Sequence, residues 1–510
     1  MNIIPLPEKV TVGSGNLFLG DTLTVFVNEK FSFVKSQIKA RLSDKKVTFS
    51  DDEDDAQLSF LYKDGIKNEG YLLSVNEKAT VCASDVSGAY YGFMTFLQIR
   101  EGDAIPRCEI EDKPRFSYRS IMVDVARHFF GKEEIKQLLD NMAYYKMNFF
   151  HFHLTEDQGW RIEIKKYPEL AEKGSIRKND WKNHLGQMTG KEYGRGLYFT
   201  QEDIKELVEY AKERMIEIVP EIDMPGHITS ALSVFPELSC EGKPLEVSEK
   251  YGIKSSIGCV GNEKYIAFMR DIIDEVCELF PAPYFHIGGD EVPKDKWKVC
   301  PKCQKLMKEK GIKNENDLQG YFTNEMMAYL AEKGKRTIGW NEILENDNLR
   351  SDAIAQWWKG KKPQKWIDGG GKIIMSQCVV CYLDYPYILT NLEKIYSLGP
   401  DRKKMTEKEQ ECVLGIEAPL WTEFVYDKKK YDFMLYPRMQ AVAEAGWTAS
   451  RLKNYKDFER RLQKFLPEME KQGINFCPPR KYNPVGLRGL RQKLIVTRKM
   501  VRDPNIEVNY

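Results

Sequence analysis

Apolar and polar positions follow two different patterns along the chain, and the change comes near residue 113. Before it, short segments with β-branched residues, such as Leu23 to Val27 and Gly70 to Val75, alternate with polar turns and predict strands. One amphipathic helix is predicted from Ala89 to Arg100, where apolar residues recur at helical spacing. We therefore predict a small α+β domain over residues 1–113, with Asp112-Lys113-Pro114 as a linker.

From Phe116 onward, eight short apolar strands are predicted, and most of them are separated by helix-type sequence. The strands are Arg119–Val125, Asn148–Leu154, Ile216–Asp223, Tyr284–Ile287, Arg336–Trp340, Ala353–Trp357, Lys372–Ser376 and Val413–Ile416. The helices are Lys132–Tyr145, Gln201–Met215, Glu263–Glu278, Glu315–Lys333, Met405–Glu411 and a closing helix over 455–474. This pattern predicts an α/β fold, a (β/α)8 barrel.

The predicted barrel domain covers residues 114–476, and residues 477–510 form a basic tail that the pattern does not place. The gap between the fifth and sixth strands is too short for a crossover helix, so the barrel is expected to be irregular there. The polar stretch Glu172–Gly196 is predicted to be an excursion loop.

Composition narrows the classes of partner. Of 510 residues, 77 are Lys or Arg and 76 are Asp or Glu, which leaves a net charge of +1 and disfavours nucleic acid as a partner. Apolar runs are far shorter than a membrane span requires, so no membrane partner is expected. The N-terminus lacks the pattern of a signal peptide, so we expect a cytoplasmic protein, or a secreted one if the sequence begins after processing. The 11 cysteines are interpreted as mostly free thiols.

Each predicted barrel strand finishes in polar or aromatic residues. Five of the six histidines lie in these segments, at positions 128, 151, 153, 227 and 286. Because the carboxyl ends of barrel strands meet at one mouth, we expect an active site there. Individual members of the set could still be buried polar residues that are satisfied by hydrogen bonds.

Asp290-Glu291, after Gly288-Gly289, is the sharpest single feature. Two adjacent carboxylates in a desolvated site should not both stay ionised, so one pKa should rise, which suits a general acid. The alternative is a helix N-cap followed by an acid. Neighbours on one backbone do not easily flank a glycosidic bond, so in a glycosidase the nucleophile would come from elsewhere. A 2-acetamido group on the sugar could supply it.

Tryptophans at separate strand ends suit such a substrate, because an aromatic box would fit an acetamide methyl and a pyranose face. They are Trp340, Trp357, Trp358 and Trp421.

Several segments resemble the family 20 glycoside hydrolases, the β-N-acetylhexosaminidases. They are DVARHF (124–129), HFHLTEDQGWR (151–161), PEIDMPGH (220–227), HIGGDEV (286–292), GWNE (339–342), YLDY (382–385) and LWTE (420–423). The resemblance covers about residues 65 to 450, and Gly70–Gln98 is similar to the small domain that precedes the barrel in that family. The family usually carries Asp where Glu156 stands here, and we do not expect this departure to matter.

The resemblance implies substrate-assisted, retaining hydrolysis with no cofactor and no metal. It implies Glu291 as general acid/base, Asp290 as acceptor of the acetamide N–H, and Tyr382 as donor to the acetamide oxygen. The other implied roles are a box of Trp340, Trp358 and Trp421, clamps on sugar hydroxyls from Arg127, Asp384 and Glu423, and a supporting dyad of Asp223 and His227. Arg127 could instead be a structural ion pair and Asp384 a turn cap, and Asp157, Trp160, Arg161 and His286 are interpreted as structural.

The expected function is exo-acting removal of terminal GlcNAc or GalNAc from a glycan or oligosaccharide. Alternatives are a lacto-N-biosidase-type member of the family, a sugar-binding protein without catalysis, and a metal-dependent hydrolase built on His151-x-His153. Cys300-x-x-Cys303 and Cys378-x-x-Cys381 could together bind zinc, but nothing in the sequence places the pairs close, so free thiols are favoured.

Overall fold

The computed structural model of the chain describes residues 1–182 and 187–484. The N-terminal part is a seven-stranded sheet in the order β1-β7-β5-β6-β4-β2-β3, with helix α2 packed on it. Its strands are β1 (Lys9–Phe18), β2 (Thr22–Val27), β3 (Lys46–Ser50), β4 (Leu58–Tyr62), β5 (Tyr71–Val75), β6 (Ala79–Ala83) and β7 (Ala104–Asp112), and its helices are α1 (Lys35–Arg41) and α2 (Val86–Ile99). Helix α2 begins before the predicted Ala89, because the Asp85 side chain caps it by accepting from the Gly88 N–H at 2.8 Å.

The predicted barrel is confirmed. Eight parallel strands close in the order β14-β15-β16-β17-β18-β19-β8-β9, and their inward and outward faces are both largely buried. These strands are β8 (Tyr118–Asp124), β9 (Phe149–His153), β14 (Glu217–Glu221), β15 (Tyr284–His286), β16 (Arg336–Trp340), β17 (Ile354–Trp357), β18 (Lys372–Met375) and β19 (Val413–Leu420). Two small hairpins follow β9: β10 (Thr155–Glu156) with β11 (Gly159–Trp160), and β12 (Trp181–Lys182) with β13 (Gln187–Met188).

Helices occupy most of the connections. In chain order they are α3 (Lys132–Tyr144), α4 (Glu169–Glu172), α5 (Gln201–Lys212), α6 (Thr229–Val234), α7 (Glu263–Leu279), α8 (Asp295–Val299), α9 (Pro301–Lys310), α10 (Glu315–Glu332), α11 (Gln364–Asp368), α12 (Cys378–Cys381), α13 (Leu392–Tyr396), α14 (Glu407–Gln410), α15 (Lys428–Leu435), α16 (Arg438–Trp447), α17 (Tyr455–Leu462), α18 (Leu466–Lys471) and α19 (Pro479–Tyr482). Between β16 and β17 only a 3₁₀ turn, Asn341–Glu345, replaces the crossover helix, as the short gap predicted.

Three sequence predictions differ from the structure in detail. The predicted closing helix over 455–474 is two helices, α17 and α18, because Pro467 lacks an N–H to continue the first one and stands at the start of the second. Of the predicted helix Met405–Glu411, only the single turn α14 is helical. The predicted excursion loop Glu172–Gly196 contains the β12–β13 hairpin. Residues 485–510 of the predicted tail lie outside the described residues.

The predicted linker at Asp112 is a buried junction. The Asp112 carboxylate accepts hydrogen bonds from Tyr71 Oη at 2.6 Å, Lys146 Nζ at 3.0 Å and Trp447 Nε1 at 2.9 Å. These contacts join the N-terminal sheet to the loop before β9 and to helix α16. None of the helices within residues 1–182 and 187–484 has the length and hydropathy of a membrane span.

Candidate active site

Asp290 and Glu291 stand at the mouth of the barrel on a tight turn that follows β15. The turn places Gly288 and Gly289 at φ of 64° and 89°, and Glu291 itself at φ 49°. A Cβ on Gly288 would lie 1.9 Å from Asp223 Oδ1, so only glycine leaves room for that carboxyl group. Asp223 in turn accepts from the Gly289 N–H at 3.0 Å. The turn is therefore held from beneath by the strand end of β14.

The pKa values of the two neighbouring carboxyl groups shift in opposite directions. Burial, with the charges of Glu342 and Glu291 nearby, raises the pKa of Asp290 to about 7 although His227 acts against the rise. Burial also acts on Glu291, but the hydrogen bond and the charge of His227 outweigh it and lower the pKa of Glu291. The sequence predicts that one pKa of the pair rises. The structure assigns that rise to Asp290 and not to Glu291, the predicted acid.

His227 faces both carboxyl groups and lies against Glu156 on its other side. His227 Nε2 lies 3.8 Å from Asp290 Oδ2 and 3.7 Å from Glu291 Oε2. On the other side, His227 Nδ1 lies 2.6 Å from Glu156 Oε1. Burial opposes a charged ring, yet Glu156 and Asp290 hold the pKa of His227 well above its usual range. Glu156 is therefore the largest source of the charge that keeps His227 cationic, and Asp157 Oδ2 also lies 3.3 Å from His227 Nδ1. Ligand atoms of Asp223, His227 and Asp290 lie within 4.8 Å of one another, and the predicted role of the Asp223–His227 dyad stays a prediction.

Arg127 lies in a set of acidic side chains that joins three strand ends. Its Nη2 is 2.7 Å from Glu156 Oε1 and 3.7 Å from Glu423 Oε1, and its Nη1 is 3.2 Å from Asp124 Oδ2. Asp124 also accepts from the Arg127 N–H and from Thr422, which fixes the loops after β8 and β19 against each other. The guanidinium lies 5.0 Å from the centre of the Trp421 ring. Arg127 thus combines the structural ion pair with a place at the site.

Four aromatic rings line the mouth between these two groups of charges. Trp340 and Trp421 have ring centroids 5.6 Å apart, Tyr382 lies 6.1 Å from both Trp358 and Trp421, and Trp340 lies 6.3 Å from Trp358. Trp358 donates from Nε1 to Glu342 Oε2 at 2.8 Å. Trp357 points away, into the core of the barrel wall, and donates to the Lys359 carbonyl. The sequence prediction of Trp358 for the box agrees with this placement.

Lys359 connects the aromatic rings to the carboxyl pair. Its Nζ lies 4.4 Å from the Trp358 ring centre, 2.8 Å from Glu342 Oε1 and 3.9 Å from Glu291 Oε1. Sequence reasoning missed Lys359 and gave Glu342 no role. The only available signal was their position beside the tryptophans of two strand ends.

Buried oxygens at the mouth lack hydrogen-bond partners. Asp290 Oδ1 and Asp384 Oδ1 are both buried without one. Burial and the charge of Glu423 raise the pKa of Asp384 well above its ordinary value. A polar ligand that donates hydrogen bonds would satisfy both carboxyl groups, since unpaired buried acceptors are costly.

The histidines beneath the pocket lie against carboxylates. His151 lies between Glu417 at 2.8 Å and Glu221 at 3.0 Å, and His286 Nδ1 is 3.0 Å from Glu221. Trp340 Nε1 donates to Glu221 as well, at 2.8 Å. Both ring nitrogens of His151 therefore face carboxylates, and ligand atoms of His151, Glu221 and His286 lie within 4.8 Å of one another.

The other motif residues hold the loops. Asp157 accepts from the Thr229 N–H at 2.9 Å, Trp160 Nε1 donates to the Ile162 carbonyl at 2.8 Å, and Arg161 donates to the carbonyls of Ala126 and Ser175. These contacts agree with the structural interpretation of Trp160 and Arg161, whereas Asp157 Oδ2 also lies 3.3 Å from His227 Nδ1.

Comparisons with family models and with known proteins all point to the same family. The family model described as glycosyl hydrolase family 20, catalytic domain, matches residues 116–450, and the model for domain 2 of that family matches residues 1–113. A β-hexosaminidase of Porphyromonas gingivalis is 36% identical over 95% of this chain, and the chain spans 65% of that protein. A β-hexosaminidase of Akkermansia muciniphila is 33% identical over 78% of the chain and 83% of its own length.

Solved structures agree with this result. The β-N-acetylhexosaminidase from Bacteroides fragilis aligns with a TM-score of 0.83 at 30% identity, covering 93% of this chain and 97% of that one. The exo-β-N-acetylglucosaminidase from Vibrio harveyi, in complex with N-acetylglucosamine, aligns with a TM-score of 0.84 at 28% identity, over 94% and 79% of the two chains.

Proposed function

Because the chain belongs to glycosyl hydrolase family 20, we propose that it is an exo-acting β-N-acetylhexosaminidase that removes terminal, non-reducing GlcNAc or GalNAc. The proposal is supported by the names of similar proteins and by the N-acetylglucosamine bound in the Vibrio harveyi structure. Its substrate is a glycan or oligosaccharide that ends in an N-acetylhexosamine.

In the proposed complex, the terminal sugar sits on the four rings. The apolar face of a pyranose and an acetamide methyl suit Trp340, Trp358 and Trp421, since these rings offer flat apolar surface. Arg127 lies beside Trp421 and 3.7 Å from Glu423, whereas Lys359 lies beside Trp358. In the proposed complex, Arg127, Asp384 and Glu423 bind the outer hydroxyls. Asp384 Oδ1, which lacks a partner, accepts one of them.

The proposed chemistry uses the acetamide as the nucleophile. Glu291 donates its proton to the glycosidic oxygen, and the acetamide carbonyl oxygen attacks the anomeric carbon as the glycosidic bond breaks. Tyr382 donates to that carbonyl oxygen, and Asp290 accepts the acetamide N–H and stabilises the positive charge of the cyclic intermediate. Water, deprotonated by Glu291, then attacks the anomeric carbon and breaks its bond to the acetamide oxygen. The cyclic intermediate thereby opens, and the sugar is released with its original anomeric configuration.

The low pKa of Glu291 in the free protein fits a site that becomes acidic on binding. A seated sugar excludes water from the Glu291 carboxyl group, and desolvation raises the pKa of a carboxyl group. Ionised Asp290 beside the sugar raises it further through like charge. The free site thus holds the proton preferentially on Asp290, and the complex favours it on Glu291.

One observation carries the proposal: the adjacent Asp290-Glu291 pair lies at the edge of a four-ring pocket. Glu291 Oε1 lies 3.9 Å from Lys359 Nζ, which in turn lies 4.4 Å from the centre of the Trp358 ring. The buried Asp290 Oδ1 lacks a hydrogen-bond partner. A carboxyl acceptor beside a proton donor matches an acetamide N–H that lies beside a leaving oxygen.

A panel of aryl glycosides tests the proposal. We expect release of chromophore from aryl N-acetyl-β-glucosaminides or galactosaminides, with almost none from plain β-glucosides that lack the 2-acetamido group. Glu291→Gln should lower kcat on the order of 10²–10⁴-fold for substrates with poor leaving groups, the usual worth of a general acid. Brisk hydrolysis of a plain glucoside, or a Glu291→Gln variant with normal kcat, would contradict the proposal.

A further inference from the structure

Four cysteines that are distant in sequence meet beside the catalytic loops. The ligand atoms of Cys240, Cys259, Cys300 and Cys303 all lie within 4.8 Å of one another. Three of the Sγ–Sγ separations are 3.6, 3.7 and 3.9 Å, for the pairs 259–300, 259–303 and 240–303. These separations exceed the ~2.05 Å of a disulfide bond.

The spacing of the sulfurs matches a tetrahedral metal centre. A zinc ion with four thiolates at ~2.3 Å places neighbouring sulfurs ~3.8 Å apart, because the edge of a tetrahedron is about 1.6 times its radius. We propose that Cys240, Cys259, Cys300 and Cys303 bind one structural Zn²⁺ through their four sulfurs. The thiols release their protons to solvent as the thiolates bind the metal.

The backbone is built to bring the two halves of the cluster together. Cys240 and Cys259 lie next to the isolated antiparallel bridge between Ser239 and Gly258, so a long excursion of the chain returns to one place. Cys300 precedes helix α9 and Cys303 lies in its first turn, where helix N–H groups favour negative charge on sulfur.

Glycine at position 261 permits the contact between the halves. A Cβ on Gly261 would lie 2.3 Å from the carbonyl carbon of Lys302 and 2.4 Å from the Cys303 nitrogen. No other residue type fits there without moving the CxxC turn.

Charge and burial also suit the metal. Cys259 and Cys303 are fully buried and Cys300 is nearly so, whereas Cys240 is partly exposed beside a surface cavity that is also lined by Lys296. Four thiolates and one Zn²⁺ carry a net charge of about −2. Lys302 lies between Cys300 and Cys303 in the chain and acts on Cys259 through its charge, and Lys296, paired with Glu241 at 2.8 Å, lines the cavity beside Cys240. The buried side of the cluster favours a stable metal site, and the partly exposed side at Cys240 gives the metal an entry path.

Four protein ligands leave no open position, so the metal is structural and takes no part in the hydrolysis. It lies behind two loops that carry the candidate catalytic residues. The Gly258 N–H donates to the carbonyl of Pro225, between Asp223 and His227, at 2.9 Å. Trp297, shortly after Glu291, donates from Nε1 to the Gly258 carbonyl at 3.0 Å. The proposed zinc thus fastens the loop after β14 to the loop after β15.

The other CxxC pair is separate from this centre. Cys381 Sγ donates to the carbonyls of Gln377 and Glu417, at 3.3 and 3.4 Å, and Cys378 is not a member of the cluster. The two CxxC pairs therefore do not form the joint site that was one possibility from the sequence. The other two members of the cluster are the single cysteines Cys240 and Cys259, which no spacing rule indicates.

Metal analysis of the purified full chain tests the proposal. Elemental mass spectrometry of protein purified without chelator should give about one zinc per chain. Cys240→Ser or Cys303→Ser should lower the zinc content by about tenfold or more. The matched control Cys378→Ser alters an equally placed CxxC residue and should keep the zinc. Zinc-free wild-type protein, iron in place of zinc, or equal loss of zinc in the control would overturn the proposal.

A measurement on the wild type avoids dependence on the folding of variants. Titration with an organomercurial in the presence of a metallochromic indicator should release about one zinc as four thiols react. Removal of the zinc should also lower the midpoint of thermal unfolding, because binding energy of a structural metal is folding energy. Thiols that react without release of zinc, or a mass spectrum showing disulfides among the four cysteines, would overturn it.

Discussion

Asp290 is held where its negative charge is unfavourable before a substrate binds. The residue is buried, its Oδ1 has no hydrogen-bond partner, and its pKa is raised to about 7. A carboxyl group that binds its proton more tightly in the folded than in the unfolded state makes the protein less stable as pH rises between the two pKa values. The penalty begins near pH 4 and is complete above pH 7, where it reaches about 4 kcal/mol.

Asp290→Asn therefore separates stability from activity. We expect the variant to unfold at a higher temperature than the wild type at pH 8, with the gain vanishing at pH 4, because the amide carries no charge. Its hydrolysis of aryl N-acetyl-β-glucosaminides should fall by on the order of 10² or more, because the amide does not stabilise a positive intermediate. Thermal unfolding from pH 4 to 8 measures the first effect. Asp51→Asn, at an exposed bend, is the control, and a gain that is independent of pH would contradict the account.

Glu156 joins the ends of three elements at the mouth. It lies on the short strand β10, and its Oε1 is 2.7 Å from Arg127 after β8 and 2.6 Å from His227 after β14. The group is fully buried, and the charges of Arg127 and His227 outweigh burial and lower its pKa. We therefore expect Glu156 to be a positioning residue that acts through Arg127 and His227.

Removing the charge of Glu156 should leave two buried cations without their common partner. We expect Glu156→Gln to lower the free energy of unfolding by about 3–5 kcal/mol, which urea denaturation at pH 7 measures. The pKa of His227 should fall at the same time, which nuclear magnetic resonance of the imidazole would record. Glu202→Gln on the exposed face of α5 is the control. An unchanged pKa of His227 would show that Glu156 does not set its charge.

The strand ends could be predicted from sequence because barrel geometry sends them to one mouth. Asp290, Glu291, Trp340 and Trp421 follow directly from that rule. The contact between His227 and Glu156 could not be predicted, because Asp223 and Glu156 both stand at strand ends and only side-chain direction separates them. The cysteine cluster was missed for a similar reason: Cys240 and Cys259 lie in loops whose return path depends on tertiary packing.

The two parts of the molecule are joined by buried charge rather than by a free linker. Lys146 and Asp112 are both buried, and the ion pair lies under the ring of Trp447. Burial lowers the pKa of Lys146, although Asp112 acts against the fall. A second pair, Arg119 with Glu69 at 2.7 Å, bridges the same boundary.

Asp112→Ala should therefore weaken the whole molecule and not only its N-terminal sheet. We expect loss of about 3–5 kcal/mol, since an unpaired buried lysine remains. In the wild type, tryptophan fluorescence and circular dichroism should report one common denaturation midpoint, and in the variant both midpoints should fall together. Asp64→Ala, on an exposed turn of the same sheet, controls for charge. A variant in which only one signal moves would show that the two parts unfold independently.

The measurement that tests the central claim most directly varies the acetamide itself. Aryl 2-acetamido-β-glucosides whose acetyl methyl carries none, one, two or three fluorine atoms keep the size of the sugar nearly constant, while the carbonyl oxygen becomes a poorer nucleophile. If the substrate's own acetamide attacks the anomeric carbon, kcat should fall at each step, by on the order of a hundredfold or more across the series. Equal rates across the series would show that a protein group or water is the nucleophile and would contradict the account.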